Sequence, residues 1–136
     1  MDLLKTMAIS ASGMDAQGKR MRVISENLAN KDSIGRTPND DPYRRKTISF
    51  KNVLDREDNV TKVKVGRIGV DRSEFELKFN PSHPAANADG YVKVPNVNAL
   101  VEIMDMKETQ RSYQANLGVI EASKKMIMRT LSILQQ

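Results

Sequence analysis

The chain has 136 residues, a length typical of one domain, with 22 basic and 17 acidic side chains, a net charge of +5 and no Cys or Trp. The absence of cysteine excludes disulfides, thiolate metal sites and cysteine catalysis. The basic excess is spread along the sequence apart from Arg44-Arg45-Lys46, whereas nucleic-acid binders usually concentrate their charge on one face. We therefore expect no nucleic acid among the partners.

The N-terminal sequence MDLLKTMAIS does not resemble a secretory signal, because it has no basic region and no convincing cleavage site follows it. No stretch approaches the ~20 apolar residues that a bilayer-spanning helix needs. We expect a protein that is cytoplasmic or is exported without a cleaved signal peptide.

Residues 1–30 form the first predicted element, an amphipathic helix. Met or Leu recurs at every seventh position, and three residues before each of them lies another row that is mostly small. These two rows form a narrow heptad seam, which is typical of close packing against another helix. The expected packing positions on this helix are Leu4, Met7, Ala11, Met14, Met21 and Leu28.

The run ISENLAN closes this helix and leads into KDSIGRTPNDDPYRR, which is dense in turn-forming residues. Asn30 tolerates the left-handed conformation and is the expected helix stop. We predict that Asn27 and Asn30 hydrogen-bond to backbone where the helix ends and the chain turns.

Residues 31–96 change character and favour strands. Four short runs have the alternation or the β-branched content of strands, namely KTISF, VTKVKVGRIGV, EFELKF and the segment from Tyr91 to Val94. They predict a small antiparallel β element of three or four strands, with a core too thin for a strong independent domain.

Residues 97–136 are predicted to form the second long helix, capped at its start by Asn96 or Asn98. Apolar side chains recur at alternating spacings of three and four, and a helix of ~38 residues is far longer than the globular average. The expected packing positions here are Ile103, Met106, Tyr113, Leu117, Ile120, Ile127, Leu131 and Leu134.

The predicted architecture is mainly α. The N- and C-terminal helices pair as an antiparallel coiled-coil hairpin, and the small antiparallel β element is inserted between them. Two helices alone leave much of the apolar seam exposed, so the remainder is expected to contact other subunits.

The sequence gives no sign of catalysis. His83, the only histidine, lies between two prolines and is interpreted as a loop residue. The neighbouring acids Asp40-Asp41 and Glu57-Asp58 lie in polar loops, where carboxylates are usually solvated. No glycine-rich phosphate loop is present. We expect no catalytic residue, metal site, cofactor or small-molecule ligand, and hence no enzyme.

Three separated motifs carry a family resemblance. MRVISENLANKDSIG resembles the N-terminal signature of flagellar axial rod proteins, and NVNALVEIMDMKETQRSYQANLGVIEASKKMIMRTLSIL resembles the matching C-terminal signature. NPSHPAANADGYVKVPNV is similar to proximal-rod members rather than to distal rod or hook proteins. The wider family usually has a Thr-x-Gly-Tyr turn, whereas here Gly35 precedes Arg36 and a tyrosine follows only at Tyr43.

The resemblance implies a structural subunit of the proximal rod of the bacterial flagellar basal body. Its terminal helices would assemble helically into part of the periplasm-crossing drive shaft and export channel. The implied partners are copies of itself, other proximal and distal rod proteins, the basal-body adaptor FliE and the flagellar type III export gate.

Rod-type export substrates also resemble one another in a Phe-x-x-x-apolar export-gate motif after the first helix. FKNVL places Phe50 and Leu54 at that spacing. The alternative for these two residues is ordinary packing in the β element.

Two other functions remain open at this point. One is a secreted coiled-coil adaptor or effector, which would use the same helical seams on a different partner. The other is a basic helical nucleic-acid binder, which the spread of the charge disfavours.

Overall fold

The computed structural model describes residues 2–134, so the helical expectation for residues 1, 135 and 136 lies outside the described part. The elements in chain order are α1 (Leu3–Ala29), β1 (Lys46–Asp55), β2 (Val60–Val70), β3 (Glu76–Phe79), β4 (Tyr91–Val94) and α2 (Ala99–Leu134). The predicted arrangement of a long helix at each end with a small β region between is confirmed. The strands do not form one element, because β1 pairs with β2 and β3 pairs with β4 in separate two-stranded sheets.

Helix α1 has 27 residues and is capped by Asp2. The Asp2 carboxylate accepts hydrogen bonds from the backbone N–H groups of Leu4 and Lys5, at 3.2 and 3.3 Å. The helix stop predicted at Asn30 is confirmed, because α1 ends at Ala29. The left-handed conformation considered for Asn30 is wrong, because among the described non-glycine residues only Asn59 has a positive φ, of 49°. Asn30 instead donates from its own side chain to the Glu26 carbonyl over 2.9 Å, which satisfies one of the last carbonyls of the helix.

Helix α2 has 36 residues, which corresponds to a length of ~54 Å. Of the two candidate caps, Asn98 caps the helix, since its side-chain oxygen accepts from the N–H groups of Leu100 and Val101 at 3.0 and 3.3 Å. Asn96 lies before the start of α2, and its side-chain oxygen accepts a hydrogen bond from the Arg45 N–H.

The β1–β2 hairpin turns through residues 56–59 and is held at its tip by Lys62. The Lys62 ammonium lies 2.7 Å from a carboxylate oxygen of both Asp55 and Asp58. These hydrogen bonds raise the pKa of Lys62 and lower that of Asp55. Asn59 takes the left-handed conformation that the turn requires.

The β3–β4 sheet is antiparallel, with Glu76 opposite Val94 and Phe79 opposite Tyr91. The rings of Phe79 and Tyr91 meet edge to face with centroids 5.3 Å apart. Gly90 precedes β4 with a φ of +82°, and a Cβ on it would lie 3.0 Å from the Phe79 ring. Only glycine combines this backbone conformation with so close an aromatic neighbour.

The chain divides into two compact units, each made of discontinuous segments. The first unit contains residues 2–21, 49–67 and 107–134. In it the Ser12 hydroxyl accepts a hydrogen bond from the Val63 N–H at 3.2 Å, which fastens β2 to α1. A Cβ on Gly13 would lie 3.1 Å from the Asn116 amide, so α1 and α2 approach closely here. The buried residues of this unit are Ser10, Ala16, Val60, Thr109 and Ser123.

The second unit contains residues 22–48 and 68–106. Its buried apolar side chains are Val23, Ile24, Ala85 and Val92, and they are accompanied by the buried polar residues Asn27 and Glu102. Across the described residues, neither unit contains a helix long and apolar enough to cross a membrane.

Candidate functional site

Asn27 is the centre of a buried polar cluster that we call the Asn27 cluster, formed by Asn27, Tyr43, Arg45, Lys46 and Glu102. The Asn27 side-chain oxygen accepts from the Tyr43 hydroxyl at 2.9 Å and from the Lys46 N–H at 2.8 Å. Its amide nitrogen donates to the Lys46 carbonyl at 2.9 Å and to Glu102 Oε2 at 3.2 Å. An amide side chain can make four hydrogen bonds, and Asn27 makes all of them.

Glu102 is fully buried in the first turn of α2, and the Arg45 guanidinium is its counter-ion. Arg45 Nε donates to Glu102 Oε1, and Arg45 also lies 3.8 Å from Asp105. The backbone N–H of Arg45 donates to the Asn96 side chain at 2.8 Å, and Asn96 in turn donates to the Asp71 carbonyl at 3.1 Å. A buried carboxylate is tolerated when it is paired and hydrogen-bonded in this way.

A second ion pair flanks the Asn27 cluster, because Lys46 Nζ lies 2.7 Å from Glu26 Oε2. The hydrogen bond to Lys46 lowers the pKa of Glu26, and the same bond raises the pKa of Lys46. Burial raises the pKa of the Tyr43 hydroxyl. Tyr43 therefore stays protonated and keeps donating to Asn27.

The Asn27 cluster joins elements and has the chemistry of a structural site. Each polar group named above already has a partner, and no group of three or more potential metal ligands exists among the described residues. Asn27 and Glu102 link α1 to α2, while the backbone of Lys46 adds the start of β1. The arrangement fixes the direction in which the chain leaves the first helix.

Asn30 lies next to the Asn27 cluster but has a lighter role. Besides its bond to the Glu26 carbonyl, its side-chain oxygen accepts from the Ser33 hydroxyl at 3.0 Å. The Ser33 carbonyl accepts from the Tyr43 N–H at 3.0 Å. Asn30 thus shapes the turn after α1, and it is half-buried where Asn27 is fully buried.

The positions expected to pack between subunits are divided by the fold into two sets. One set is half-buried and consists of Met7, Met14, Met21, Leu28, Met106, Tyr113, Ile120 and Ile127. The other set is exposed and consists of Leu4, Ala11, Ile103, Leu117, Leu131 and Leu134. The six exposed positions of the apolar seam are therefore available for contacts outside the chain.

The most buried row of α2 is polar, and it was missed by the reasoning from sequence. Glu102, Thr109, Asn116 and Ser123 recur every seventh residue; Glu102 and Thr109 are fully buried, Ser123 is 4% exposed and Asn116 is half-buried. This row lies one residue before the apolar row of Ile103 and Leu117. A regular polar repeat at heptad spacing was the available signal, but the search for apolar seams passes over it.

Phe50 and Leu54 lie on β1, four residues apart, and are 38% and 56% exposed. Neither side chain is enclosed by the hairpin. His83 lies in the loop before β4, where its Nδ1 accepts from the Ala85 N–H at 3.1 Å, a local loop contact.

Comparison with known proteins identifies the chain's relatives. Residues 88–133 match the family described as the flagellar basal body rod FlgEFG protein C-terminal region. The flagellar basal-body rod protein FlgC of Agrobacterium fabrum is 47% identical over 93% of this chain and 91% of its own length. The proteins of the same name from Bacillus subtilis and Salmonella typhimurium are 38% and 37% identical, each over 98% of this chain and 98% or more of their own lengths.

Proposed function

Because this chain belongs to the family of flagellar basal-body rod proteins FlgC, we propose that it builds the proximal part of the rod by helical assembly through its terminal helices. It is a structural subunit of the basal-body rod and not an enzyme.

The inverted burial of the side chains carries the proposal. The largest fully buried side chains are Glu102, Asn27 and Thr109, all polar. Soluble monomers rarely expose large contiguous apolar patches, yet α2 exposes apolar side chains along most of its length. These are Leu100, Val101, Ile103, Met104, Leu117, Val119, Met126, Met128, Leu131, Ile133 and Leu134. Such a helix needs neighbours on several sides, which a packed tube provides.

The geometry of assembly follows from the asymmetry of the subunit. A contact between two different surfaces of identical chains generates a helical filament when its rotation does not close a ring. An exposed apolar row on α2 that packs against a different surface of the next subunit meets this requirement. Torque would then be carried by many packed interfaces along the tube.

We also propose that α1 and α2 pair as an antiparallel coiled coil within each subunit. In the first unit Gly13 lies against Asn116, and in the second unit Asn27 binds Glu102. Asn27 follows Gly13 by 14 residues and Glu102 precedes Asn116 by 14 residues, which is two heptads on each helix. Antiparallel pairing with small and polar residues inside explains this equal spacing and directs the apolar rows outward.

The proposed partners are further copies of this chain, other proximal and distal rod proteins, and the basal-body adaptor FliE. We propose export through the flagellar type III gate without a cleaved signal peptide, with Phe50 and Leu54 as the gate-recognition motif. Since the subunit is exported unfolded in this scheme, the place of these residues on β1 concerns only the assembled state.

Recovery in the basal body is the decisive experiment. An epitope-tagged chain, expressed in place of the native one, should co-purify with intact basal bodies after detergent extraction and appear in the proximal rod density. A secreted adaptor with the same helices would be found in the medium and not in the rod. Its absence from purified basal bodies would overturn the proposed function.

A further inference from the structure

The two compact units differ in charge, although the basic excess looks diffuse along the sequence. Residues 2–21, 49–67 and 107–134 hold 13 basic and 7 acidic side chains, whereas residues 22–48 and 68–106 hold 9 basic and 10 acidic ones. The first unit therefore carries +6 and the second −1. Two first units repel each other, so contacts between unlike units of neighbouring copies are favoured.

Each unit exposes a two-stranded sheet that is short of neighbours. A two-stranded sheet is marginal in water, and three or more strands are usually needed for stability. β2 is fastened to α1 by the bond from Val63 to Ser12, and the first residue of β1, Lys46, is bonded to Asn27. Beyond Lys46, β1 makes no backbone hydrogen bond outside its pairing with β2 among the described residues, so this part of β1 is the open edge. In the second unit β3 pairs with β4 and with no other strand of residues 2–134, and it is exposed at all four of its residues.

The two open strands are complementary in their side chains. On β1, Lys51 is exposed and pairs with no carboxylate in the described part of the chain, and the same holds for Lys64 and Arg67 on the adjoining strand β2. Glu74 before β3 and Glu76 on it are exposed and have no cationic partner among the described residues, and β3 also carries the exposed Lys78.

The apolar side chains of the two strands match as well. β1 exposes Phe50 and Leu54, while β3 exposes Leu77 and Phe79, at 60% and 63%. Exposed edge strands with apolar side chains are the usual sites at which one chain adds a strand to another.

We propose that β1 of one copy pairs edge to edge with β3 of a second copy, so that the two small sheets become one four-stranded intermolecular sheet in the order β2-β1-β3-β4. The contact is heterologous, since β1 and β3 are different surfaces, and in the proposed helical assembly it propagates from copy to copy without closing a ring. This inference rests on the proposed rod assembly. It adds a second interface, made by strands, to the contacts between helices, and this interface always joins β1 of one copy to β3 of the next.

Cross-linking between singly substituted copies tests this pairing, and the absence of native cysteine makes it clean. Copies carrying Asn52→Cys and differently tagged copies carrying Leu77→Cys are expressed together, and basal bodies are treated with a short bis-maleimide. The mixed dimer is expected in the mixture, while either variant alone should give no dimer. Thr61→Cys on β2, exposed but on the fastened strand, serves as the matched control and should not cross-link to Leu77→Cys.

Reversing the charges of the contact tests the strand pairing independently of cross-linking. Lys51→Glu is expected to reduce the yield of assembled rods about tenfold through like-charge repulsion with Glu74 and Glu76 of the next copy. Adding Glu76→Lys to the same chain should restore the yield, because both partners of the contact are then reversed. If the cysteine variants enter basal bodies but never cross-link as a mixed pair, the strand pairing is overturned while the rod function stands.

Discussion

Asn27 near the end of α1 and Glu102 in the first turn of α2 are joined by a 3.2 Å hydrogen bond, although they are 75 residues apart in sequence. Both side chains are essentially inaccessible to solvent. The bond links the two terminal helices through polar groups, at a place where an ordinary helical pair would bury leucine. Removing this bond by Asn27→Ala should therefore destabilise the folded chain.

Asn27→Ala should destabilise the monomer by about 3 kcal/mol, because it leaves the Lys46 N–H and carbonyl and one Glu102 oxygen buried without their partner. Urea unfolding of the purified chain, followed by far-UV circular dichroism, measures the change. Asn30→Ala is the matched control, since it removes an amide that is half-buried and bonds only the Glu26 carbonyl and the Ser33 hydroxyl. We expect it to cost less than about 1 kcal/mol. Equal losses for the two variants would contradict the central role of Asn27.

The Glu26–Lys46 pair predicts a pH dependence with a defined sign. The pKa of Glu26 is lowered below its ordinary value of 4.5 in the folded chain, so its contribution is fully present above that value and is lost as the pH falls through the folded pKa. The raised pKa of Lys46, above 10.5, makes its contribution present below that value and lost as the pH rises through the folded pKa. The melting temperature of the parent chain should therefore exceed that of Glu26→Gln between about pH 5 and pH 10.

The difference between these two melting curves should shrink as the pH falls below 4.5 and through the lowered pKa of Glu26 in the folded chain, because the carboxyl group then becomes protonated in both states. Glu121→Gln is the control, because Glu121 is exposed and forms no ion pair among the described residues. A difference for Glu26→Gln that does not fall as the solution is acidified below pH 4.5 would show that the ion pair is not its cause.

An apolar position on the outer face of α2 separates assembly from folding. Leu117 is 39% exposed and Ile120 is half-buried. Leu117→Asp should abolish rod assembly while changing the monomer's free energy of unfolding by less than about 1 kcal/mol. Ile120→Asp should also abolish assembly. It should lower the monomer's free energy of unfolding by about 2 kcal/mol or more, because it places a charge at a half-buried position.

Gln114→Asp controls for the added charge, since Gln114 is an exposed polar residue on the same helix. Electron microscopy of basal bodies and urea unfolding of the soluble chain provide the two readings. Normal rods built from Leu117→Asp subunits would refute the assignment of this row to subunit packing.

The export motif makes a prediction that is independent of stability. Phe50 and Leu54 are exposed on β1, so the double variant Phe50→Ala/Leu54→Ala should unfold within about 1 kcal/mol of the parent. If the pair is read by the export gate, the variant should accumulate in the cytoplasm and be missing from the basal body. Immunoblots of cell fractions measure this.

Asn52→Ala, between the two motif residues on the same strand, should be exported normally. If the double variant is exported as well as the parent chain, Phe50 and Leu54 are not the export motif and are only surface residues of the β1–β2 hairpin.

Much of the secondary structure could be predicted from local patterns. The alternation in EFELKF and the β-branched run VTKVKVGRIGV led to the strands β3 and β2, because period-two patterning is a local property. The division into two separate sheets could not be predicted, since strand pairing depends on contacts that are distant in sequence. The cap at Asn98 rather than Asn96 was likewise undecided, because Asn96 is held by Arg45 from another part of the chain.

The inner face of the helices could not be predicted by the rule that apolar periodicity marks the buried face of a helix. Apolar periodicity selects Ile103 and Leu117. The heptad row that begins one residue earlier, at Glu102, is polar, and its members Glu102 and Thr109 are fully buried. The rule assumes that a chain buries its apolar surface by itself. A subunit that keeps its apolar rows for neighbouring subunits has to fill its own interior with small and polar groups, so the rule points to the outer face.

The glycines of α1 offer a final test of how closely the helices approach. A Cβ on Gly18 would have nothing within 4 Å, whereas one on Gly13 would lie 3.1 Å from the Asn116 amide. Gly18→Ala should therefore stabilise the monomer by about 1 kcal/mol, the full gain in helix propensity. Gly13→Ala should gain less or lose stability, because the Asn116 side chain must shift to admit the methyl group.

Thermal unfolding of the two alanine variants compares them directly. Gly13→Ala combined with Asn116→Ala should recover the gain that Gly13→Ala alone lacks, since the second change removes the obstructing amide. Equal stabilisation by Gly13→Ala and Gly18→Ala would mean that α2 does not approach α1 at Gly13. The proposed antiparallel pairing would then lose its contact in the first unit.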